Sequence, residues 1–319
     1  MKSDTKFINN VKIEGYVYST GSNFNQLSEK ITGENSKNPG TKYIAGDLDI
    51  VVDEVGLNVI TIHYSYVTET FNNGKVNNTY GVLKNIISNP DKYWINGGKD
   101  NAFKVSCTGV SLGLNDFIAG DGNKVSAIRN ENGFCSIVNN LCEESERNKF
   151  TTDMLITKVV HIDADPERNI NEDYAVINGA IFGYGPKILP VAFTIRNSQG
   201  MQYFESLEVN SIHPVFTKVW GHVNCMTTKV EKKEESAFGE AAVQTYEKKS
   251  REYLITGATR IPYDFGDENV LTVADVNKMT QDRQTLLAEI EKRYNDSKTE
   301  KENNIINNAQ MVPTGGFKF

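Results

Sequence analysis

A repeated order of strand-like and helix-like segments constrains the fold of this chain more than any other feature. In the first half, apolar and polar residues alternate along five segments, which is the pattern of strands with one buried face. These segments are residues 11–19, 43–52, 59–67, 103–114 and 125–138. Between the third and the fourth, residues 79–88 take the spacing of a short helix, which ends at Asn89 and Pro90 because proline cannot continue it. The order is therefore three strands, one helix and two strands.

The second half of the chain repeats this order, although the two halves share little sequence identity. Its strand-like segments are residues 154–163, 174–184, 188–196, 218–225 and 251–257, with a short helix at 201–207. Gly46 and Gly179 stand at matching points in the second strand of each half. The order and this echo together predict that the chain contains one structural unit twice.

This order of elements is that of the OB barrel, a five-stranded Greek-key barrel with its helix between the third and fourth strands. We therefore predict an all-β, or β-rich α+β, fold of two tandem OB-type barrels followed by a helix and a disordered tail. A charged stretch at residues 141–149 lacks an apolar period and marks the boundary between the barrels. The predicted bounds are 1–145 for the first barrel, 146–262 for the second, 263–296 for the C-terminal helix and 297–319 for the flexible tail.

Two segments outside the barrel strands carry further predictions. Residues 226–250, which join the last two strands, mix lysines with glutamates and form either a long β-ribbon or a charged loop. In an OB barrel this connection is one of the two that flank the ligand. Thr272 and Asp275 make an N-terminal capping box, and an apolar stripe from Val276 to Tyr294 predicts a helix. This helix either docks on its own barrel or pairs with a partner chain, and a homo-oligomer is one of the open alternatives.

The charge and the cysteines limit the class of protein. The chain of 319 residues has a net charge of -7, which argues against coating duplex DNA through bulk positive charge but allows a local basic groove. Its four cysteines form no C-x-x-C pair, and we interpret them as buried thiols in a reducing cytoplasm. The N-terminus lacks the apolar stretch of a signal peptide, and no run approaches the roughly 20 apolar residues that span a bilayer. We expect a cytoplasmic protein that does not contact a membrane.

The sequence lacks the common signatures of catalysis and of metal binding. There is no G-x-x-x-x-G-K-S/T loop, no H-E-x-x-H and no G-x-S-x-G. The four histidines are dispersed, without cysteines or carboxylates at metal-ligand spacing. The acidic segment 163–173 begins like a calcium loop but lacks its glycine and its closing glutamate, so we interpret it as a solvated loop rather than a cation site. We predict no enzyme activity, no cofactor and no metal.

Alternating strand faces give the best indication of binding. Single-stranded nucleic acid is bound by flat aromatic faces that stack on bases, with cations beside them that contact phosphates. Lys218, Trp220 and His222 alternate with small apolar residues and therefore share one strand face. The predicted nucleic-acid-binding residues are Lys12, Tyr16, Tyr18, Phe182, Tyr184, Lys218, Trp220, His222, Lys229, Lys232, Lys233, Phe238, Lys248, Lys249 and Arg251. The competing interpretation is that the aromatic residues pack inside the structure and the ribbon is a solvated hairpin.

The strand order, the long charged connection, the segment Lys218-Val-Trp-Gly and the terminal Phe319 together resemble a known family. The chain is similar to OB-fold single-stranded DNA-binding proteins, in particular to the larger tandem-OB versions of bacteriophages and prophages of Gram-positive bacteria. The resemblance covers residues 8–261 and implies a protein that coats exposed strands during replication or recombination, in the host cytoplasm if phage-encoded.

The same resemblance implies a role for the end of the chain. In such proteins a flexible tail with an aromatic tip recruits replication or recombination enzymes, and Phe317 and Phe319 would be the partner-binding residues here. The alternative hypothesis is an OB-scaffold adaptor, or a phage structural protein, that binds other proteins and no nucleic acid.

Overall fold

The computed structural model describes residues 7–310 apart from 23, 169, 186, 211, 234–242 and 268–269. Within this part of the chain there are twelve strands and four α-helices. The strands are β1 (Asn9–Ser19), β2 (Ser28–Ile31), β3 (Lys42–Val51), β4 (Val59–Thr68), β5 (Lys104–Ile118), β6 (Lys124–Glu131), β7 (Phe134–Ile137), β8 (Asn148–Ile162), β9 (Tyr174–Gly183), β10 (Lys187–Ile195), β11 (Val215–Lys233) and β12 (Val243–Ala258). The helices are α1 (Asn78–Ser88), α2 (Trp94–Gly97), α3 (Ser198–Ser206) and α4 (Val273–Gln310). None of these helices has both the length and the apolar character that crossing a membrane requires.

Five strands of the first half close into a ring. β1 pairs with β3, β3 pairs with β4, and β4 pairs in parallel with β6. β6 then pairs with β5, and β5 returns to β1. This closure is that of an OB barrel, and α1 lies between the third and fourth strands of the ring, as predicted. The short strands β2 and β7 are additions that pair with β3 and β5.

The predicted strand 125–138 is in fact two strands, β6 and β7. The chain turns between them at Asn132 and Gly133, whose φ angles are 56° and 100°. Two successive residues with positive φ cannot continue an extended strand. β6 and β7 therefore pair with different parts of β5, and the alternation of the sequence alone did not reveal the break.

Five strands of the second half close in the same way. β8 pairs with β9, β9 with β10, and β10 in parallel with β12, while β11 joins β12 to β8. Gly179 is required where β9 crosses β8, because a Cβ at this position would lie 2.1 Å from the Leu155 carbonyl oxygen. The predicted fold class, a strand-rich chain of two OB-type barrels with a C-terminal helix, is confirmed.

The two barrels are joined through their first strands. β1 and β8 pair antiparallel, with Asn9 opposite Thr152 and Ile13 opposite Asn148. The Asn9 side-chain amide donates to the Leu112 carbonyl at 2.9 Å and to the Phe182 carbonyl at 3.0 Å, so one side chain bonds to both barrels. Buried apolar residues form one core cluster that extends through both barrels. The division into separate domains at residues 145 and 146 stays a prediction.

The connection 226–250 is a ribbon rather than a mobile loop in the part that the structure describes. β11 and β12 remain paired as far as Lys233 opposite Val243, and the tip with Phe238 lies outside the described residues. As the ribbon leaves the second barrel, it touches the first. The Thr227 amide donates to the Leu57 carbonyl at 2.9 Å, and the Cys225 amide donates to Asn58 Oδ1 at 2.8 Å. These bonds fix the ribbon against the turn between β3 and β4.

The C-terminal helix docks on its own barrels and is longer than predicted. The capping box begins α4, with the Asp275 amide donating to Thr272 Oγ1 at 3.1 Å. Met279 is buried against the second barrel, and Arg283 pairs with Asp116 of the first. The predicted end at residue 296 is wrong, because the polar residues 297–310 contain neither glycine nor proline and the helix continues to Gln310. Residues 311–319, with Phe317 and Phe319, lie outside the described part.

Candidate nucleic-acid interface

A groove of about 530 Å³ lies where β4 and β6 of the first barrel meet β10 and β12 of the second. Most of its lining is small and uncharged. These neutral residues are Val59, Thr61, Ala127, Ile128, Ala192, Thr194 and Cys225. In an OB barrel the ligand lies across the second and third strands, and β4 and β10 are the third strands of the two barrels. The ligand faces of both barrels therefore contribute to one groove.

The charged wall of this groove is the base of the ribbon, where Lys249, Arg251 and Glu252 follow one another on β12. Glu252 accepts from Arg196 at 2.8 Å, so its charge is already compensated. The Arg251 Nη1 donates to the Ile128 carbonyl at 2.6 Å, which fixes the guanidinium at the contact between the barrels. Neither Lys249 nor Arg251 forms an ion pair with an acidic side chain of the described residues. The wall therefore carries positive charge that can attract phosphate.

A second groove of about 360 Å³ extends the first along the ribbon. It shares Val59 and Lys249 with the first groove, and Tyr18 and Met226 add apolar surface. Met226 is 39% exposed, and the Tyr18 ring is partly buried. The two grooves therefore adjoin, and their combined lining includes Lys249, Arg251 and the aromatic residues Tyr18 and Tyr253.

The predicted face of β11 is present in the structure, but its three residues line neither of the two grooves. Val219 and Val223 are buried, while Lys218, Trp220 and His222 lie on the outer side. Trp220 is 39% exposed, because its indole covers the backbone of β12. A Cβ at Gly257 would lie 2.4 Å from the indole Nε1, so the glycine is needed for this close packing. One face of the indole therefore packs against β12 and is not open to a base.

The cations around Trp220 are largely compensated. Lys12 lies opposite Lys149 across β1 and β8, and Lys149 lies opposite His222 across β8 and β11. Lys12 pairs with Glu14 at 3.2 Å, and Lys149 pairs with Glu146. Burial and the nearby Lys149 hold the pKa of His222 below its usual range, which favours the neutral imidazole. This face brings four predicted residues together; two of its three lysines are compensated, and Lys218 lacks an ion pair among the described residues.

Two of the predicted aromatic residues are buried and cannot stack on a base in this conformation. Tyr16 packs edge-on against Trp94 of α2, with ring centroids 5.3 Å apart. Phe182 packs between Phe7 and Phe216, at 4.2 and 5.7 Å. The alternation placed both rings on the outer side of their strands, but α2 covers one, and the N-terminal segment with α4 covers the other. These two predictions are corrected.

The remaining predicted residues lie apart from the groove or outside the described residues. Tyr184 is 97% exposed at the turn between β9 and β10, and Lys248 lies on the outer side of the ribbon. The backbones of Lys229, Lys232 and Lys233 belong to β11, but their side chains lie outside the described part.

Sequence reasoning missed the neutral floor of the groove and also Tyr253, which lines it. Thr61, Ala192 and Thr194 do lie on predicted strands, where period-two alternation marks them as outward residues. Small neutral side chains carry no compositional signal for binding. The three-dimensional arrangement of the two barrels is needed to show that these side chains line the same groove.

Three groups lie close together at the ends of the acidic segment, two within it and one just before it. Ligand atoms of His161, Asp163 and Asp173 are all within 4.8 Å of one another, and all three residues are exposed. His161 Nδ1 lies 2.6 Å from Glu205 Oε1, and Asp173 accepts from the Ala164 amide at 2.7 Å. Contacts within the protein therefore account for this arrangement without a cation.

The ring closures and the groove define a tandem OB-fold protein with a positively charged groove between its barrels. The chain belongs to the YorF family, whose family model matches residues 6–293. No curated protein matches its sequence.

Among solved structures, the chain is similar to the wild-type single-stranded DNA binding protein from Thermus aquaticus. The TM-score is 0.45 at 11% identity, over 82% of this chain and 97% of that one. A deletion mutant of the same protein gives 0.44 at 12% identity, over 82% and 98%. A replication protein A heterotrimer bound to single-stranded DNA gives 0.22 at 9% identity, over 89% and 71%. Because these TM-scores are below 0.5, the assignment of the OB fold rests on the strand pairings alone.

Proposed function

We propose that the protein binds single-stranded DNA, with little sequence preference, in the groove between its barrels. One observation carries the proposal: the neutral groove shared by both OB ligand faces has Lys249 and Arg251 on its wall without acidic partners. Phosphates need such cations, and bases need a surface from which water can be displaced. The net charge of -7 does not oppose this, because ionic strength screens distant charges beyond about 8–10 Å.

The proposal extends to the setting in which the protein works. We infer that it protects or organises exposed strands during phage-type replication or recombination, as a non-enzymatic protein of the cytoplasm without a cofactor. The four cysteines are free thiols, which suits a reducing compartment. Phe317 and Phe319 are the proposed contacts for a replication or recombination protein. Lys12, Lys218, Trp220 and His222 are a proposed secondary contact surface for the strand.

The first test is fluorescence anisotropy of a labelled oligo-dT of about 30 nucleotides, a length matched to two OB barrels. We expect binding that weakens as salt increases, and weaker binding to a duplex of the same length. Binding to neither DNA at low salt would contradict the proposal and favour the protein-binding adaptor.

A variant then locates the site. Lys249→Ala removes one cation from the groove, so we expect weaker binding and a salt dependence reduced by about 0.7 in the slope of log K against log salt. Lys158→Ala is the matched control, because Lys158 is an exposed cation of β8 away from the groove. Equal effects of the two substitutions would show that the strand does not lie in the groove.

A further inference from the structure

We propose that the hydroxyl of Tyr253 is the polar group through which the groove binds the edge of one base. This inference rests on the proposed function. It assigns a role to a residue in the interior of the second barrel, and it makes the groove a site with modest base preference.

The Tyr253 hydroxyl is buried without a hydrogen-bond partner among the described residues. Tyr253 is 4% exposed and lines the groove. Only two other buried side-chain atoms of the described residues share this state, Ser36 Oγ and Asn130 Oδ1, and neither residue lines the groove. Buried polar groups in native proteins are nearly always paired, so an unpaired hydroxyl at a ligand-sized groove needs an explanation.

The ring that carries this hydroxyl is held firmly. It packs against Phe193, with centroids 5.5 Å apart, and against Phe150 at 6.3 Å. The side chain therefore cannot swing into water to satisfy its hydroxyl. A partner must come to the hydroxyl instead, and since the hydroxyl is buried in the free protein, the groove must widen on binding for a base edge to reach it.

The surroundings place the hydroxyl near the groove and keep it protonated. Burial raises its pKa well above the usual range, and the charge of Arg251 and the thiol of Cys225 act on it in opposite directions. Both of these residues line the groove. A protonated hydroxyl can donate or accept, so it can bond to the edges of different bases, which fits low sequence selectivity.

Arg251 and Tyr253 lie two residues apart on one strand face, about 6.6 Å along the strand. Arg251 has one N–H engaged with the Ile128 carbonyl and others available to a phosphate. One nucleotide can therefore contact Arg251 through its phosphate and Tyr253 through its base.

The test is Tyr253→Phe, which removes the hydroxyl and leaves the ring. We expect the free variant to have a Tm equal to or above that of the wild type, because an unpaired buried group is lost. Affinity for the best-bound of oligo-dT, oligo-dC and oligo-dA should fall by about five- to tenfold, and the differences among the three should shrink.

Tyr64→Phe is the matched control. Tyr64 is fully buried in the first barrel, and its hydroxyl donates to Cys107 Sγ at 3.7 Å, so its loss should leave all three affinities unchanged. If wild type binds but Tyr253→Phe binds all three oligomers equally well, this inference is wrong and the proposed function stands. A lower Tm for Tyr253→Phe would also overturn it, because the hydroxyl would then be satisfied in the free protein. Wild type that binds no oligomer would contradict the proposed function itself.

Discussion

At the scale of single residues, the partner of each cation decides where the surface can attract phosphate. Lys12 and Lys149 lie near Trp220, yet each has a glutamate beside it. Lys249 and Arg251 lack such partners in the described part of the chain, and Arg251 is oriented by a backbone carbonyl. Positive charge is therefore available in the groove, although the sequence pattern predicted the aromatic face of β11 more directly than it predicted the groove.

His222 gives a prediction about pH at this scale. Asn148 uses its amide nitrogen for Val223 and Asn224, so its Oδ1 accepts from Nδ1–H of a neutral His222 at 3.0 Å. Burial and Lys149 lower the pKa of His222. His222 is therefore protonated more readily in the unfolded chain than in the folded chain. The free energy of unfolding decreases as the pH falls below about 6.5.

The measurement is thermal unfolding between pH 7.5 and pH 5.5, values chosen to bracket the unfolded pKa of about 6.5. We expect the loss of Tm to be smaller in His222→Gln, because glutamine keeps a donor for Asn148 and does not titrate. His213→Gln, at an exposed histidine, is the control. A pH dependence identical in His222→Gln and wild type would contradict this account.

At the scale of elements, a buried ion pair holds α4 on the first barrel, in addition to the apolar contacts of the helix with the second. Arg283 donates to Asp116 Oδ1 at 2.8 Å, and the two side chains are only 12% and 7% exposed. Burial raises the pKa of Asp116, but hydrogen bonds from Arg283 and Ser126 outweigh this and leave the pKa below its usual value. The carboxylate therefore stabilises the docked helix above about pH 4, and this contribution is lost as the pH falls further.

Asp116→Asn should release α4 without unfolding the barrels. Removing one partner of a buried pair leaves the other uncompensated, and we expect docking to weaken by about 2 kcal/mol. Faster hydrogen exchange of residues 273–296 is the readout. Glu291→Gln is the matched control on the same helix, because its pair with Lys124 is exposed and such pairs contribute little. Unchanged exchange in Asp116→Asn would show that apolar contacts alone hold the helix.

Element types followed from the sequence because period and turn residues are local signals. The ten strands that close the two barrels, α1, α3 and the start of α4 were predicted in this way, whereas β2 and α2 were not. The covering of Tyr16 and of Phe182 depended on what packs against their strands, and local signals could not show it. The break at Asn132 and the continuation of α4 beyond residue 296 have local causes, a turn at Asn132 and Gly133 and the lack of helix-breaking residues, that the period of the sequence did not show. Lys249 and Arg251 were predicted for the site, but its neutral floor required the relative placement of the barrels.

At the scale of the whole molecule, asparagine side chains join the barrels. Asn9 donates to the Leu112 and Phe182 carbonyls and accepts from the Leu112 amide at 2.8 Å. Asn58 Nδ2 and Asn148 Nδ2 both donate to Asn224 Oδ1, at 3.2 and 3.0 Å. The bonds of Asn9 and Asn58 cross from the first barrel to the second, and the groove depends on how the two barrels are placed.

Asn9→Ala should therefore reduce both stability and binding. Three hydrogen bonds are lost and backbone groups of both barrels are left unpaired, so we expect a loss of about 1–3 kcal/mol. Urea unfolding should show a lower midpoint at an unchanged m-value, and oligo-dT affinity should fall. The exposed neighbour provides the control, since Asn10→Ala should change neither quantity. A wild-type midpoint for Asn9→Ala would contradict this role.

The pairing of β1 with β8 also has a consequence for the order in which the chain is made. One edge of residues 9–13 is covered by residues 148–152, which are synthesised about 140 residues later. At 5–20 residues per second this delay is roughly 7 to 28 seconds, during which the edge is open to neighbouring nascent chains on the same messenger. The second barrel therefore protects the first from misassembly during synthesis, whatever ligand the finished protein binds.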